Sequence, residues 1–318
     1  MTRTALVTGV YGQDGSLLAE HLLARGYRVV GVARPDSPPR NDVACEVITL
    51  DLARPPERWA NELLARISPD EIYCLAACHR SSDPSLRDNP DQQQRMVDVN
   101  LTAPLALAHA ILAARSTTSI VLAASSQMYT PADPAHRVDE QTPFAPSTFY
   151  GVMKASAVSA IRWLREQQGL RGSSAILFNH ESPRRAPEFV SRRITRAATR
   201  IAAGLDRDLE VLDLASRVDF SSAIDVVAGM HVMATSTTPV DCVIASGELH
   251  SIEDLCRVAF SAAGLDYREH VRSTRPAGPR PALVGDASRL ESLGWKRTRS
   301  FEQWVQEMVA ADIATISR

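Results

Sequence analysis

Short apolar runs alternate with helix-spaced segments through the first half of the chain. Residues 4–8 (TALVT), 28–32 (RVVGV), 46–50 (EVITL), 71–75 (EIYCL) and 119–123 (SIVLA) are apolar at successive positions. Each therefore predicts a short strand buried on both faces. Between them, residues 16–25, 57–67 and 97–114 carry apolar side chains at helical spacing. Strands of this kind, separated by helices, predict a parallel sheet covered on both sides and joined by right-handed crossovers. The expected fold class is α/β, a Rossmann-type doubly wound parallel sheet with a smaller C-terminal domain. The second half is less regular. It predicts a helix over 155–168, a strand over 174–178, an Arg-rich amphipathic helix over 191–203, a Pro/Arg-rich loop over 273–281 and a closing helix over 301–313. There are no internal repeats and no low-complexity tract.

Composition narrows the functions open to such a fold. With 45% hydrophobic residues among 318, the chain can bury a substantial core. A formal net charge of −2 gives no electrostatic case for a nucleic-acid or anionic-membrane partner. No apolar run approaches the roughly 20 residues of a membrane helix. Residues 1–9 lack the charged and apolar regions of a signal peptide. The five cysteines (Cys45, Cys74, Cys78, Cys242 and Cys256) are odd in number and widely spaced, which argues against a disulfide framework. Cys74, Cys78 and His79 lie close in sequence but lack a second ligand pair, so no metal site is expected. A reducing, cytoplasmic setting is the expectation.

The loop after the first strand is the first carrier of chemistry. Gly9, Gly12 and Gly15 form G-x-x-G-x-x-G, with Gln13 and Asp14 between the last two. The first glycine permits the tight turn, the second lets backbone approach a pyrophosphate, and the third lets helix pack on strand. The helix N-terminus adds free N–H groups and a positive dipole end. This context points to a dinucleotide. Arg34 ends the second strand, where NAD-preferring sites usually carry an acid, and a guanidinium there suits the 2′-phosphate of NADP. Asp51 and Leu52, after the third strand, would lie beside the adenine.

Tyr150 and Lys154 form Y-x-x-x-K at the start of a predicted helix, so both face one side. The ammonium is expected to lower the phenol pKa, which would let it exchange a proton near neutrality. Ser125, ending the fifth strand, would hydrogen-bond the reacting alcohol or ketone. The expected division is an NADP-binding domain over 1–178 that also receives about 219–246, and a substrate-binding domain from 179–218 and 247–318.

Together these residues resemble the extended branch of the short-chain dehydrogenases/reductases. The segment Asn179-His180-Glu181-Ser182-Pro183-Arg184-Arg185 looks like the signature of GDP-mannose 4,6-dehydratases, and residues 8–16, 244–251 and 285–295 are similar stretches. The resemblance implies a GDP-hexose substrate whose C4 hydrogen passes to NADP as hydride while Tyr150 takes the hydroxyl proton. A family glutamate then removes the C5 proton and helps expel the 6-hydroxyl as water, and the hydride returns to C6. It also implies that Leu75, Ala76, Ala77, Lys154, His180 and Arg185 line the cofactor, and that Asn179, Arg192, Arg217 and Arg275 contact substrate.

The sequence departs from that pattern at three places. Gln127 stands where the family has its catalytic glutamate, and an amide does not carry protons. The loop after the fourth strand reads Cys78-His79-Arg80 in place of small and amide side chains, so His79 is a candidate for part of the missing role. Val218 stands at a family arginine, which leaves Arg217 as the substitute. Three outcomes stay open after C4 oxidation: dehydration, C4 epimerisation or 4-ketosugar reduction. A non-catalytic member that binds NADP and a nucleotide is a further alternative. The segment 34–43 is shorter than its family counterpart, which helps build tetramers, so a homodimer is expected, formed by helices 97–114 and 155–168.

Overall fold

The computed structural model describes residues 2–40, 42–79, 89–131, 136–275 and 281–316. Seven parallel strands make the central sheet: β1 (Thr4–Thr8), β2 (Arg28–Ala33), β3 (Glu46–Thr49), β4 (Glu71–Cys74), β5 (Ser119–Ala123), β6 (Gly172–Leu177) and β7 (Cys242–Ile244), in the spatial order 3-2-1-4-5-6-7. In β1, Leu6 pairs with Val30 on one side and Ile72 on the other. Alternation then sends Leu6, Ile72, Ile120 and Leu122 to one face of the sheet and Ala5, Val7, Tyr73 and Val121 to the other.

Both faces are covered. Helices α2 (Pro56–Ile67), α4 (Ala103–Ala113) and α5 (Phe149–Gln168) pack on the first, while α1 (Gln13–Leu23) and α7 (Ala223–Thr235) pack on the second. The doubly wound α/β expectation is met. Five of the six expected strands start within a residue of their predicted position, and the sixth starts two residues early.

Two helices begin well before their apolar pattern does. Helix α5 starts at Phe149 because the Thr148 hydroxyl caps it, accepting from the Gly151 amide. The segment expected over 97–114 starts at Pro90, where Asn89 and Gln92 form a reciprocal capping box. It runs as α3 (Pro90–Val97), a π-helical turn (Asp98–Thr102) and α4 without a break. This corrects the expectation that nothing approaches a membrane span. By length and composition the 24-residue stretch Pro90–Ala113 is apolar enough to cross one, but half of its most apolar window is buried inside the protein, as in a core helix.

Past β6 the chain builds a second core. Helices α6 (Val190–Ala202) and α8 (Ile252–Ala262) pack with the C-terminal helix Phe301–Ile316 against a three-stranded sheet of Asn179–Glu181, Arg217–Ser222 and Leu249–Ser251. The sequence division at 247 is too simple. Ala287, Leu290 and Trp295 return to the first core, and Leu283–Gly285 pairs with His136–Val138. Buried carboxylates tie these returns together. Asp219 accepts from the Ser246, Gly247 and Gly285 amides, and Asp225 accepts from the Thr298 and Arg299 amides.

A polar chain is built under the opposite end of the sheet. His21 Nε2 and His231 Nδ1 share a hydrogen bond (3.0 Å), His231 Nε2 lies 3.1 Å from the Tyr27 hydroxyl, and Tyr27 donates to the fully buried Glu71 (3.0 Å). Neither imidazole readily takes a second proton. Burial first, and Arg25 second, push each down to about 4. An unfolded chain would protonate them near 6.5, so between those values the unfolded state binds more protons and stability rises with pH. The expected outcome is a melting temperature that falls from pH 6.5 to 4, and falls less steeply in a His21→Gln/His231→Gln variant. Parallel slopes for both proteins in a calorimetric pH series would contradict it.

Candidate active site

Strand β1 delivers the chain into a turn that only glycine allows. Gly9 has φ +72°, and a Cβ there would meet the Ala76 backbone at 2.9 Å. A Cβ on Gly15 would meet the Gly9 carbonyl at 2.3 Å, so this glycine sets how closely α1 packs on the loop. Gly12 caps α1 without any side-chain oxygen, which leaves first-turn N–H groups available to an anion. The cradle fits a dinucleotide pyrophosphate. Arg34 ends β2 half exposed, in a long 3.6 Å ion pair with Asp36. Asp51 is held by Arg95 at 3.1 and 3.2 Å, and Leu52 is buried behind it.

The strip after β4 is fixed by its neighbours. Thr8 Oγ1 accepts from the Leu75 and Ala76 amides, both at 3.1 Å. Asn100 grips Cys78 from both sides, accepting from its amide and donating to its carbonyl at 2.9 Å. Asn100 is 1% exposed and sits within the π-helical turn, a distortion frequent at functional sites. It was missed by sequence reasoning; an amide in the middle of an apolar helix was the available signal. Leu75, Ala77 and His79 reach the cleft, whereas Arg80 lies outside the described residues.

The start of α5 presses against the segment after β5. A Cβ on Gly151 would meet the Gln127 carbonyl at 2.2 Å. This contact sets Tyr150 in the cleft that Ser125 also lines. Burial and, next, the Asp14 carboxylate push the phenol above its ordinary value, while the Ser125 side chain pulls it down. The expectation that Lys154 lowers the phenol pKa is corrected. The ammonium is 5.6 Å from the Tyr150 ring centre and donates to the Ala123 carbonyl at 2.8 Å. Burial pushes Lys154 itself down to about 8.

His79 and Gln127 meet at the same point. Gln127 Nε2 donates to His79 Nε2 at 3.0 Å, and Gln127 Oε1 accepts from Thr148 at 3.3 Å. The imidazole stands edge-on to the Tyr150 ring, with centroids 4.6 Å apart, and lies near-parallel to Phe189.

The signature segment fastens onto the glycine loop. His180 Nδ1 donates to the Phe178 carbonyl and Nε2 to Asp14 at 2.9 Å, so with two acceptors the ring carries both protons. Burial opposes both charges, but the pairing outweighs it: Asp14 lies below its ordinary range and His180 above. Ser182 donates to Gln13, Gln13 donates to the His180 carbonyl, and Arg184 pairs with Glu20 and Asp42. Arg185 pairs with the buried Glu181 and covers the Phe189 ring at 3.5 Å.

These elements enclose a cleft of about 870 Å³ lined by Asp14, Ser125, Tyr150, Asn179, His180 and Arg185 among others. A hollow of about 900 Å³ at the opposite end of the sheet, lined by Arg3, Asp70 and Arg171, holds no comparable constellation. Two expected substrate arginines are not brought to the cleft. Arg192 is locked in an ion pair with Asp312 on the C-terminal helix, and its neighbour Arg193 lines the cleft instead. Arg217 is exposed on the opposite side of its strand from Ser216 and Val218, which do line it. Arg275 lines the cleft, but the adjoining Pro276, Ala277 and Gly278 lie outside the described residues. Among the described residues, no group of three or more His, Cys, Asp or Glu could hold a metal ion.

Removing the Asp14 charge should lower the Tyr150 pKa, because that carboxylate opposes phenolate formation. Ring-carbon NMR titration of labelled tyrosine in Asp14→Asn should show one resonance titrating at lower pH than in the parent protein. A shift upward, or none, would contradict this.

Comparison with known proteins places the chain. A family model described as GDP-mannose 4,6 dehydratase matches residues 6–308. The Arabidopsis thaliana protein "GDP-mannose 4,6 dehydratase 2" is 36% identical over 341 residues, spanning 99% of this chain and 88% of that one. Among solved structures, RMD from Pseudomonas aeruginosa complexed with NADPH aligns with TM-score 0.82 at 23% identity, covering 99% of both chains. The Thermus thermophilus UDP-glucose 4-epimerase complex with NAD aligns with TM-score 0.81 at 22% identity, covering 97% of this chain and 98% of that one. At such identities the two structures speak for the fold.

Proposed function

The chain belongs to the GDP-mannose 4,6-dehydratase family, a family of nucleotide-sugar-modifying enzymes, and from that premise we propose that it oxidises a GDP-hexose at C4 with NADP as resident cofactor. The observation that carries this reading is that Ser125 and Tyr150 line the same cleft at the glycine loop, with Lys154 5.6 Å from the Tyr150 ring centre.

Gly9, Gly12, Gln13 and Gly15, with the N-terminus of α1, would hold the pyrophosphate, with Asp14 tied to His180 beside them. Arg34 supports NADP over NAD, since its exposed ion pair with Asp36 can exchange for a 2′-phosphate. Asp51 and Leu52 would flank the adenine, Leu75 to Ala77 the middle of the cofactor, and Lys154, His180 and Arg185 its nicotinamide half. When bound, the oxidised nicotinamide supplies a hydride acceptor and a positive charge. Ser125 orients the C4 oxygen, and Tyr150 takes its proton at the phenol oxygen. Lys154 holds a proton on Nζ in a buried site, fixed by the Ala123 carbonyl. Asn179, Arg193 and Arg275 face the cleft where the diphosphate of the substrate would lie, and a guanidinium can chelate phosphate oxygens two at a time.

The fate of the 4-keto sugar is governed by Gln127, which stands in the place of the family's catalytic glutamate. An amide cannot serve as its acid or base. A C4 epimerase or a 4-ketosugar reductase is therefore the second reading, favoured by this residue alone. We also propose a homodimer. Trp163 (54% exposed) and Val152 (39% exposed) form an apolar stripe on α5, beside the half-buried Leu105 and Leu112 of α4. An exposed tryptophan with aliphatic side chains on adjoining helices suits a self-complementary interface.

Two measurements check these readings. Mass spectrometry after incubation with GDP-, UDP-, CDP- and dTDP-hexoses should show conversion of a GDP-hexose, and Tyr150→Phe should slow it by about 10²–10⁴-fold. Conversion at the parent rate by that variant would overturn the tyrosine's role. Light scattering should give a dimer that Trp163→Glu converts to monomer, and a tetramer in the parent protein would contradict the assembly.

A further inference from the structure

Resting on the reading that the sugar is first oxidised at C4, we propose that His79 is the acid–base residue that removes the C5 proton and delivers it to the departing C6 hydroxyl. Several groups in the cleft could carry a proton. Tyr150 is occupied with the C4 oxygen. Lys154 is turned away toward the Ala123 carbonyl. His180 already bears both protons, held by Phe178 and Asp14, so it has no lone pair to offer. Gln127 is an amide. His79 is an imidazole whose Nε2 accepts a hydrogen bond from that neutral amide, so Nε2 carries a lone pair in the cleft itself.

Its position matches the task. His79 Nε2 is 3.0 Å from the terminal nitrogen of Gln127, within about one atomic diameter of where a carboxylate at position 127 would have its oxygen. The ring is held on three sides. Tyr150 meets its edge, Phe189 lies near-parallel to it at 6.4 Å, and Asn100 fixes the backbone of the preceding residue. Gln127, itself anchored by Thr148, becomes a positioning residue that sets which nitrogen is basic.

With C4 a ketone, the C5 proton is acidic and passes to His79 Nε2, whose lone pair the Gln127 amide releases as the substrate takes its place. The C5–H electron pair becomes the C5–C6 double bond as the C6–O bond breaks, and the leaving hydroxide takes the proton from the imidazolium and departs as water. The hydride removed from C4 is returned to C6. C5 then receives the proton that Tyr150 took from the C4 hydroxyl, which restores both bases.

The test uses the full-length protein loaded with NADP, GDP-mannose as probe, and His79→Phe, which keeps the ring contacts but removes the nitrogens. Two signals are read in single turnover: near-ultraviolet absorbance of reduced nicotinamide, which reports C4 oxidation, and loss of the mass of one water, which reports elimination. The expected result is an absorbance rise at close to the parent rate and water loss slowed by about 100-fold. The absorbance rise also certifies that the variant is folded. Adding Gln127→Glu to His79→Phe should restore much of the water loss, because a carboxylate then occupies the same point. Water loss at the parent rate in His79→Phe overturns the proposal, as does a parent protein that oxidises GDP-mannose without losing water. A parent protein that gives no absorbance change removes the C4-oxidation reading itself, and this proposal with it.

Discussion

The site depends on one close approach. The first turn of α5 lies so near the segment after β5 that nothing larger than the hydrogen of Gly151 fits against the Gln127 carbonyl. A larger side chain would push apart Ser125, Gln127, Tyr150 and, through the edge contact of the rings, His79. The Thr148 hydroxyl serves both sides of this contact, capping α5 and hydrogen-bonding the Gln127 side chain. The tyrosine-lysine pair is placed by packing before any charge acts on it.

Charge then sets what the pair can do. Lys154 is buried and Tyr150 partly so, and loss of water favours the neutral form of each. Asp14 adds a further bias against the phenolate, and its own charge is retained because a doubly protonated His180 donates to it. The protein alone therefore keeps the phenol protonated. A positive charge arriving in the cleft would reverse that bias, which couples readiness of the base to occupancy of the dinucleotide groove. The signature residues take part structurally, since Gln13, Asp14 and Glu20 of α1 are all bonded to the segment 180–184. That segment clamps the helix whose N-terminus would bind phosphate.

Much of this was legible in the chain. The strands 4–8 and 119–123 appear at their expected bounds because a run whose central residues are apolar on both faces is buried most readily in a covered parallel sheet. The glycine loop and Y-x-x-x-K were legible because each is a local arrangement. What escaped depended on rotation or on distant partners. Arg192 and Arg193 are adjacent on a helix, about 100° apart, and only the packing of α6 on the C-terminal helix decides which one faces the cleft. Arg217 and Val218 raise the same ambiguity on a strand, where neighbours face opposite sides. Strand β7 has only three residues, Cys242–Ile244, too few for a periodic pattern, and exists because β6 offers it an edge. The effect of Lys154 on Tyr150 was misjudged because helical spacing gives the shared face but not the direction of a long, flexible side chain.

The central claim is that hydrogen leaves C4 of a GDP-sugar as hydride while Tyr150 takes the hydroxyl proton. Single turnover of GDP-mannose carrying deuterium at C4 tests it most directly. The account predicts a slower rise in reduced-nicotinamide absorbance than with unlabelled substrate, and deuterium displaced from C4. A reaction that proceeds at the same rate for both substrates and leaves the label on C4 would contradict it.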